Sequence, residues 1–418
     1  MQDYNTIIGS IQMRLNGCQT RSVMDRYKIG SGTLNLIMSR YHANGIPIEE
    51  SVLAQTYTSW ELLVIDDGST DHTDEVVKQY KDSRIHYIKM NKNRFYCYAA
   101  NYGLDHCKGE YIAFLNSDDV WFPHKLEKQI YFMEQHPQYG ACFTEVILTD
   151  NEGKDISEEC VSMHQIFSTR QNGQAGWLQF FLYHGNSLCH PSALIRKHVL
   201  DEIGKFNLYY CQLADFDLWV RIVTKYPIEV LREPLIYFRW DVKEGDQISS
   251  MTKHHLTRSY NEHLIIRRQL VERLTDAEML LYFQDQFKNP DSKTYLELQF
   301  ERAFLLMNCV KNTENMKVLG LEKLEQVLQM EGAVEVLENH FQLTLQDIYK
   351  WNLGHWYCDP FLRQEIESLK KVKDHYKNKS QQLETLVKEY HNSTSWRCTK
   401  PFREGMRMIK KLLKKVED

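Results

Sequence analysis

Two acidic clusters, each closing a short apolar run, constrain this chain more than anything else in it. The first run is Glu61-Leu62-Leu63-Val64-Ile65, ending in Asp66-Asp67-Gly68-Ser69; the second is Tyr111-Ile112-Ala113-Phe114-Leu115, ending in Asn116-Ser117-Asp118-Asp119. Continuous apolar runs of this length, bounded by turn residues, read as strands covered on both faces. In an open α/β sheet, ligands bind beyond the carboxyl ends of the strands. Two such strands ending in paired carboxylates build an acidic pocket there. That pocket repels a phosphorylated ligand unless a divalent cation stands between them, which points to nucleotide-sugar chemistry.

The surrounding pattern agrees with an α/β class. Strands are predicted at 34–38, 61–66, 85–90 and 111–115. They alternate with helices at 49–55, 71–80, 96–107 and 125–135, the second capped by Thr70 or Asp71 and the last opened by Pro123. This spacing predicts a mostly parallel central sheet. A strand at 141–149 and strand-like alternation over 228–239 follow. From about 253 to 359, Leu, Phe and Met recur at three- and four-residue spacing, which predicts a helical C-terminal region. The expected organisation is an N-terminal extension (1–32), the α/β domain (33–252), a helical domain (253–360), and a spacer helix with a basic tail (361–418).

With 418 residues, more than one domain is expected. A formal net charge of -5 argues against nucleic acid as a partner. The 10 cysteines are scattered without a C-x-x-C pair, which predicts buried free thiols in a reducing compartment rather than a disulfide framework or zinc site. No run approaches the roughly 20 apolar residues that span a bilayer, and no signal-peptide pattern opens the chain, so a cytoplasmic location is expected. In 363–390, Ile366, Leu369, Val372, Tyr376, Leu383, Leu386 and Tyr390 fall near heptad spacing, but Lys379 lies on the seam. That argues against a long coiled coil, and a solvated spacer helix or antiparallel packing is at least as good a reading.

Four segments together resemble glycosyltransferase family 2, the inverting enzymes of GT-A (nucleotide-diphospho-sugar transferase) fold. They are Ser51-Val52-Leu53-Ala54-Gln55-Thr56-Tyr57, Asp66-Asp67-Gly68-Ser69-Thr70-Asp71, the Gly109–Asp119 stretch, and Asp215-Phe216-Asp217-Leu218-Trp219-Val220-Arg221. The resemblance covers roughly 34–250. Each motif alone is weak, but four in the expected order form a strong signal. It implies transfer of a sugar from a nucleoside-diphosphate-sugar donor, UDP- or dTDP-linked, to a saccharide or lipid-linked acceptor.

Residue by residue, Tyr41 stacks on the base in this reading, while Asp66, Asp67 and Ser69 receive base or ribose, or else form a turn and helix cap. Asn116 and Asp119 orient ribose. Asp118 ligates Mg²⁺ or Mn²⁺, which neutralises the leaving diphosphate. Asp215 is the general base that deprotonates the acceptor hydroxyl, with Asp217 capping a helix from about Leu218. His190, in the dense segment 185–192, meets donor phosphate or acceptor, or else is a satisfied core histidine. Arg239 reaches phosphate or lies solvated on an edge strand, and Trp219 is core.

Four positions depart from the family pattern. Ser39-Arg40-Tyr41-His42 replaces Pro-x-Tyr-Asn, Asn116 stands at the first acid of Asp-x-Asp, Ala214 stands before the base in place of Glu, and Asp241 stands where a metal-completing His is usual. They keep open a second reading, a degenerate transferase-like module that binds nucleotide sugar without turnover. A Rossmann dehydrogenase is disfavoured, since no G-x-G-x-x-G follows the first strand. The tail, with Trp396, Phe402, Met406, Ile409, Leu412, Leu413 and Val416 amid Lys and Arg, has the composition of an interfacial helix drawn to anionic lipid at the inner face of the cell membrane. A helix packed on the domain gives the same pattern.

Overall fold

A computed structural model describes residues 34–38, 48–150, 153–240, 252–309, 317–353, 360–392, 394, 398–399 and 401–407. Tyr41 and Asp241 lie outside the described residues, as do the N-terminal extension and the tail beyond 407. The chain divides into two compact units, 1–355 and 356–418.

The first unit is built on one eight-stranded sheet. In chain order its strands are β1 (Leu34–Met38), β2 (Trp60–Asp66), β3 (Ile85–Lys89), β4 (Tyr111–Phe114), β5 (Val120–Trp121), β6 (Ala141–Thr149), β7 (Leu194–Arg196) and β8 (Ile228–Arg239). Their order across the sheet is β3-β2-β1-β4-β7-β6-β8-β5. Strands β3, β2, β1 and β4 run parallel, as do β6 and β8. However, β7 is antiparallel to both β4 and β6, and β5 is antiparallel to β8. The sheet is therefore mixed, with four parallel and three antiparallel pairings where a mostly parallel sheet was expected. The two strands that reverse it have only three and two residues, too short to show a period of their own.

Alternate residues of each strand serve opposite faces. Leu63, Ile65, Ile112, Phe114 and Phe143 join a core with α3 (Phe95–His106), α6 (Gly173–Tyr183), α7 (Lys197–Ile203) and α8 (Ala214–Lys225). Leu62, Val64, Ala113, Leu115 and Cys142 join a second core with α1 (Ile48–Leu53), α2 (Thr73–Val77), α4 (Lys125–Gln135) and α5 (Val161–Phe167). The first core continues without a break into α9 (Lys253–Arg273), α10 (Asp276–Phe283) and α11 (Tyr295–Met307), through Ile266, Leu270, Met279, Phe283 and Leu298. Helices α10 and α11 each begin in a capping box, Thr275 with Glu278 and Thr294 with Glu297, whose reciprocal hydrogen bonds satisfy helix-end amides. A third core joins α11 to α12 (Lys317–Val327), α13 (Ala333–Asn339) and α14 (Leu345–Leu353) through Phe300, Phe304, Leu324 and Leu337.

The 51–57 segment is architectural. Gln55 donates to Phe122 O (2.9 Å) and accepts from Leu126 N (3.2 Å), and Thr56 donates to Glu127 (2.7 Å). These bonds hold the chain leaving the second acidic cluster against α1.

The second unit contains α15 (Pro360–Asn392). Leu369, Val372, Tyr376, Leu383 and Leu386 are all exposed on it. No described helix is long and apolar enough to cross a membrane. The described cysteines are all free thiols, five of them buried.

Candidate active site

Strands β2 and β4 flank β1 and run parallel to it, so both acidic clusters emerge at the same edge of the sheet. The first cluster is folded onto the protein itself. Asp66 is fully buried; one carboxylate oxygen accepts from Ser69 N (2.7 Å), the other from the Tyr87 hydroxyl, and Lys89 Nζ stands 3.8 Å away. Burial and this carboxylate push the Tyr87 phenol well up. Asp67 accepts from Arg94 N (2.8 Å) and so ties the end of β2 to the loop before α3. Gly68, the next residue, sits at φ +81°, and a Cβ there would lie 2.7 Å from the Lys92 carbonyl carbon, so only glycine fits. Asp71 accepts from Thr73 N (3.0 Å) at the start of α2, and of the two suggested caps only it bonds the helix.

The second cluster is held from across the sheet. Asp119 is buried and accepts from Arg239 N (3.0 Å) and from Asn116 Nδ2 (3.0 Å). Burial first, and then the Asp118 charge, raise its pKa well above the carboxylate range. Asp118 is 26% exposed and pairs with Arg239 Nη2 at 3.2 Å. Arg239 Nε is buried without a hydrogen-bond partner among the described residues. Arg239 closes β8, and β5 pairs outside it, so β8 is not the edge strand that sequence reasoning supposed. Among the described residues no three His, Cys, Asp or Glu converge as a metal cage. Of the two acids only the partly exposed Asp118 is open to Mg²⁺ or Mn²⁺, which bind through one or two carboxylates plus substrate phosphates.

Asp215 is the second residue of α8. It accepts from Phe216 N (2.7 Å) and from Asn186 Nδ2 (2.9 Å). Burial outweighs these bonds and pushes its carboxyl up to about 6. Helix α8 begins at Ala214, so Asp217 is not a cap; it is buried and binds Arg221 at 2.9 Å. Trp219 is core, edge-on to Phe143.

The 185–192 loop links the two halves of the site. Gly185, at φ +96°, lets it pass His263, whose Cε1 would lie 3.0 Å from a Cβ. Asn186 grips Asp215, and four residues on His190 stacks on Phe114, the last residue of β4, with centroids 5.0 Å apart. His190 Nε2 is 2.7 Å from the Tyr96 hydroxyl, and burial lowers its pKa to about 3, so the ring is neutral at physiological pH. The core-histidine alternative describes this environment well. Nearby, Ser187 Oγ, Trp219 Nε1 and His263 Nδ1 are buried without hydrogen-bond partners among the described residues.

Sequence reasoning missed Glu262. This buried carboxylate on α9 accepts from three successive backbone amides, Cys211 N (2.9 Å), Gln212 N (2.9 Å) and Leu213 N (2.7 Å), and so fixes the turn into α8. The available signal was a Glu one helical turn before buried Ile266, which is itself one turn before buried Leu270. Phe95 was also missed. It has φ +66° and its ring is 65% exposed, a strained backbone that costs about 1–3 kcal/mol for a bulky residue.

Residues 49–202 match the model of glycosyl transferase family 2. The chain is 38% identical over 195 residues to EpsE of Bacillus subtilis, whose name calls it a glycosyltransferase; the match covers 45% of this chain and 66% of EpsE. It is 33% identical over 178 residues to the UDP-Glc:alpha-D-GlcNAc-diphosphoundecaprenol beta-1,3-glucosyltransferase WfaP of Escherichia coli, covering 42% of this chain and 63% of WfaP. The chain thus spans just under two thirds of these relatives' lengths. Among solved structures, Staphylococcus aureus TarS 1–349 in complex with UDP aligns at a TM-score of 0.45 with 17% identity, covering 78% of this chain and 93% of that one.

Proposed function

Residues 49–202 belong to glycosyl transferase family 2, and from that premise we propose that the chain is an inverting glycosyltransferase of envelope polysaccharide synthesis. It moves a sugar from a nucleoside-diphosphate donor, UDP- or dTDP-linked, to a saccharide or lipid-linked acceptor. The observation that carries this reading is the 185–192 loop, which joins Asp215 through Asn186 to the acidic end of β4 through His190 and Phe114.

In this reading the donor lies beyond β2 and β4, with its diphosphate toward Asp118 and Arg239. Asp66, Asp67 and Ser69 shape the nucleotide side, and Asn116 with Asp119 the ribose side. Asp215 accepts the proton of the acceptor hydroxyl as that oxygen attacks the anomeric carbon. The bond from that carbon to the phosphate oxygen breaks on the opposite face, and the nucleoside diphosphate departs with the electron pair. A carboxyl near pH 6 is a competent base at neutral pH. A Mg²⁺ or Mn²⁺ ion held at Asp118 supplies charge neutralisation for the leaving diphosphate. Tyr41 and Asp241 remain candidates for base stacking and metal ligation. Exposed Phe402 and Met406 support a tail that contacts anionic membrane at the inner face.

The test is nucleotide release and product formation from UDP- and dTDP-sugars with membrane extract as acceptor, for wild type and Asp215→Asn. Equal turnover by the two proteins rejects the base assignment. The Asn116 to Asp119 hydrogen bond, where family members carry an acid, favours the rival reading of a binding module. Calorimetric binding of UDP-glucose with Mn²⁺, but no turnover across acceptors, would establish that rival.

A further inference from the structure

A second recess opens between the start of α3 and the turn into α8. It is a cavity of about 300 Å³ whose walls include Arg94, Phe95, Tyr98, Leu208, Cys211 and Arg258. Its lining is tied to the turn that leads into α8, the helix that carries Asp215. The Cys97 thiol donates to Tyr210 O (3.2 Å), and Cys211 N, like Leu213 N two residues on, donates to Glu262. From the other side, Tyr96 reaches His190. The volume is at the lower end of small-molecule sites, the size of one sugar-phosphate group rather than an oligosaccharide.

Two features mark it as a ligand site. Its two guanidinium groups meet only neutral partners: Arg94 binds the Tyr98 hydroxyl and lies 4.5 Å from that ring's centroid, and Arg258 Nη1 is 3.3 Å from Cys211 Sγ. Two cations beside one apolar recess, with no carboxylate paired to either among the described residues, complement an anion. Phe95, moreover, holds a φ of +66° with its ring exposed rather than packed in the core. Strain that gains no burial is the kind kept where a side chain must face a ligand.

We propose that this cavity receives the acceptor and selects one bearing a phosphate group, gripped by Arg94 and Arg258 while Phe95, Tyr98 and Leu208 cover its apolar or sugar face. The proposal deepens the glycosyl-transfer reading and rests on it. The same phosphate chemistry is offered by a lipid-borne phosphate or diphosphate and by a soluble sugar phosphate.

The test titrates the full chain, in chelator-treated buffer so that no divalent ion recruits phosphate to Asp118, with phenyl phosphate, neutral phenyl glucoside, and farnesyl phosphate in micelles. Phenyl phosphate is expected to bind at least tenfold tighter than the glucoside. Arg94→Gln and Arg258→Gln should each weaken phosphate binding at least fivefold and leave the glucoside unchanged, while Asp118→Asn leaves phenyl phosphate affinity unchanged. Tighter binding of farnesyl phosphate assigns the phosphate to a lipid; equal binding assigns it to a soluble acceptor. Phe95→Gly should raise Tm yet weaken both aromatic probes, a combination that a merely structural Phe95 does not give. Phosphate affinity insensitive to both arginines, or lost in Asp118→Asn, overturns the site. These readouts need no donor. Failed sugar transfer with arginine-dependent binding therefore rejects the acceptor role through the parent reading, whereas normal transfer with unchanged acceptor KM in both arginine variants rejects this proposal alone.

Discussion

Arg239 answers both acids beyond β4: its Nη2 lies 3.2 Å from Asp118 Oδ2, and its backbone N–H donates to Asp119 at 3.0 Å. One residue at the end of β8 thus sets the charge balance of a cluster 120 positions earlier in the chain.

Asp118→Asn should lower nucleotide release at least a hundredfold while changing stability by less than about 1 kcal/mol, because both partners of the ion pair are partly exposed. Coupled nucleotide-release kinetics and urea denaturation check this together. A loss of several kcal/mol with normal donor turnover would mark the pair as purely structural.

The Asp215 carboxyl gives a pH signature. Its pKa in the fold, about 6, stands above the ordinary aspartate value of 3.8, so the fold favours the protonated form. That stabilising contribution is complete below pH 3.8, declines as pH rises, and is lost above about 6. Asp215→Asn should therefore be more stable than wild type by about 2 kcal/mol at pH 8, with the gain gone by pH 4. Wild-type transfer should fall tenfold per unit below pH 6, and the variant should lose about 10²–10⁴ in rate. Denaturation midpoints and transfer rates across pH 4–8 decide it.

Glu262→Gln keeps one acceptor oxygen for three amides. It should cost about 1–3 kcal/mol, the range for charge-assisted hydrogen bonds. Because Glu262 also raises the Asp215 pKa, the acid limb of the rate profile should move to lower pH. A variant that loses stability but keeps the wild-type limb would separate the loop's anchor from the base.

Lys125 is fully buried, donates to Gln129 Oε1 (2.7 Å) and lies 4.1 Å from the Trp121 ring centroid; burial lowers its pKa to about 7. Its neutral form is favoured in the fold, so the cost of burying the charge is complete below pH 7 and is relieved as pH rises toward the ordinary lysine value of 10.5. Stability should rise by about 1–2 kcal/mol between pH 7 and 9 in wild type and stay flat in Lys125→Met, read by guanidinium unfolding at both pH values.

The parts of the fold legible in the sequence are those whose signal is local. β2, β4 and α4 show as continuous or periodic apolar residues, and Gly68 shows as a turn. β5 and β7 carry too few residues for a period, so the reversal of the sheet was invisible. Asp217 reads as a cap because its partner Arg221 lies along the same helix, and α8 starts without a capping side chain. Glu262 stands about fifty positions beyond the amides it binds, and no local pattern encodes that distance. Arg239 was misread for the same reason: the strand outside it has two residues.

The reach of Glu262 has a consequence for how the protein can be made and rebuilt. A nascent chain that has emerged only to residue 250 already carries Asp118, Asn186, His190 and Asp215. It does not yet carry the acceptor that organises the turn into α8. Competence arrives with α9, so a chimera that exchanges the catalytic half must take its splice point beyond that helix or bring a compatible glutamate with it.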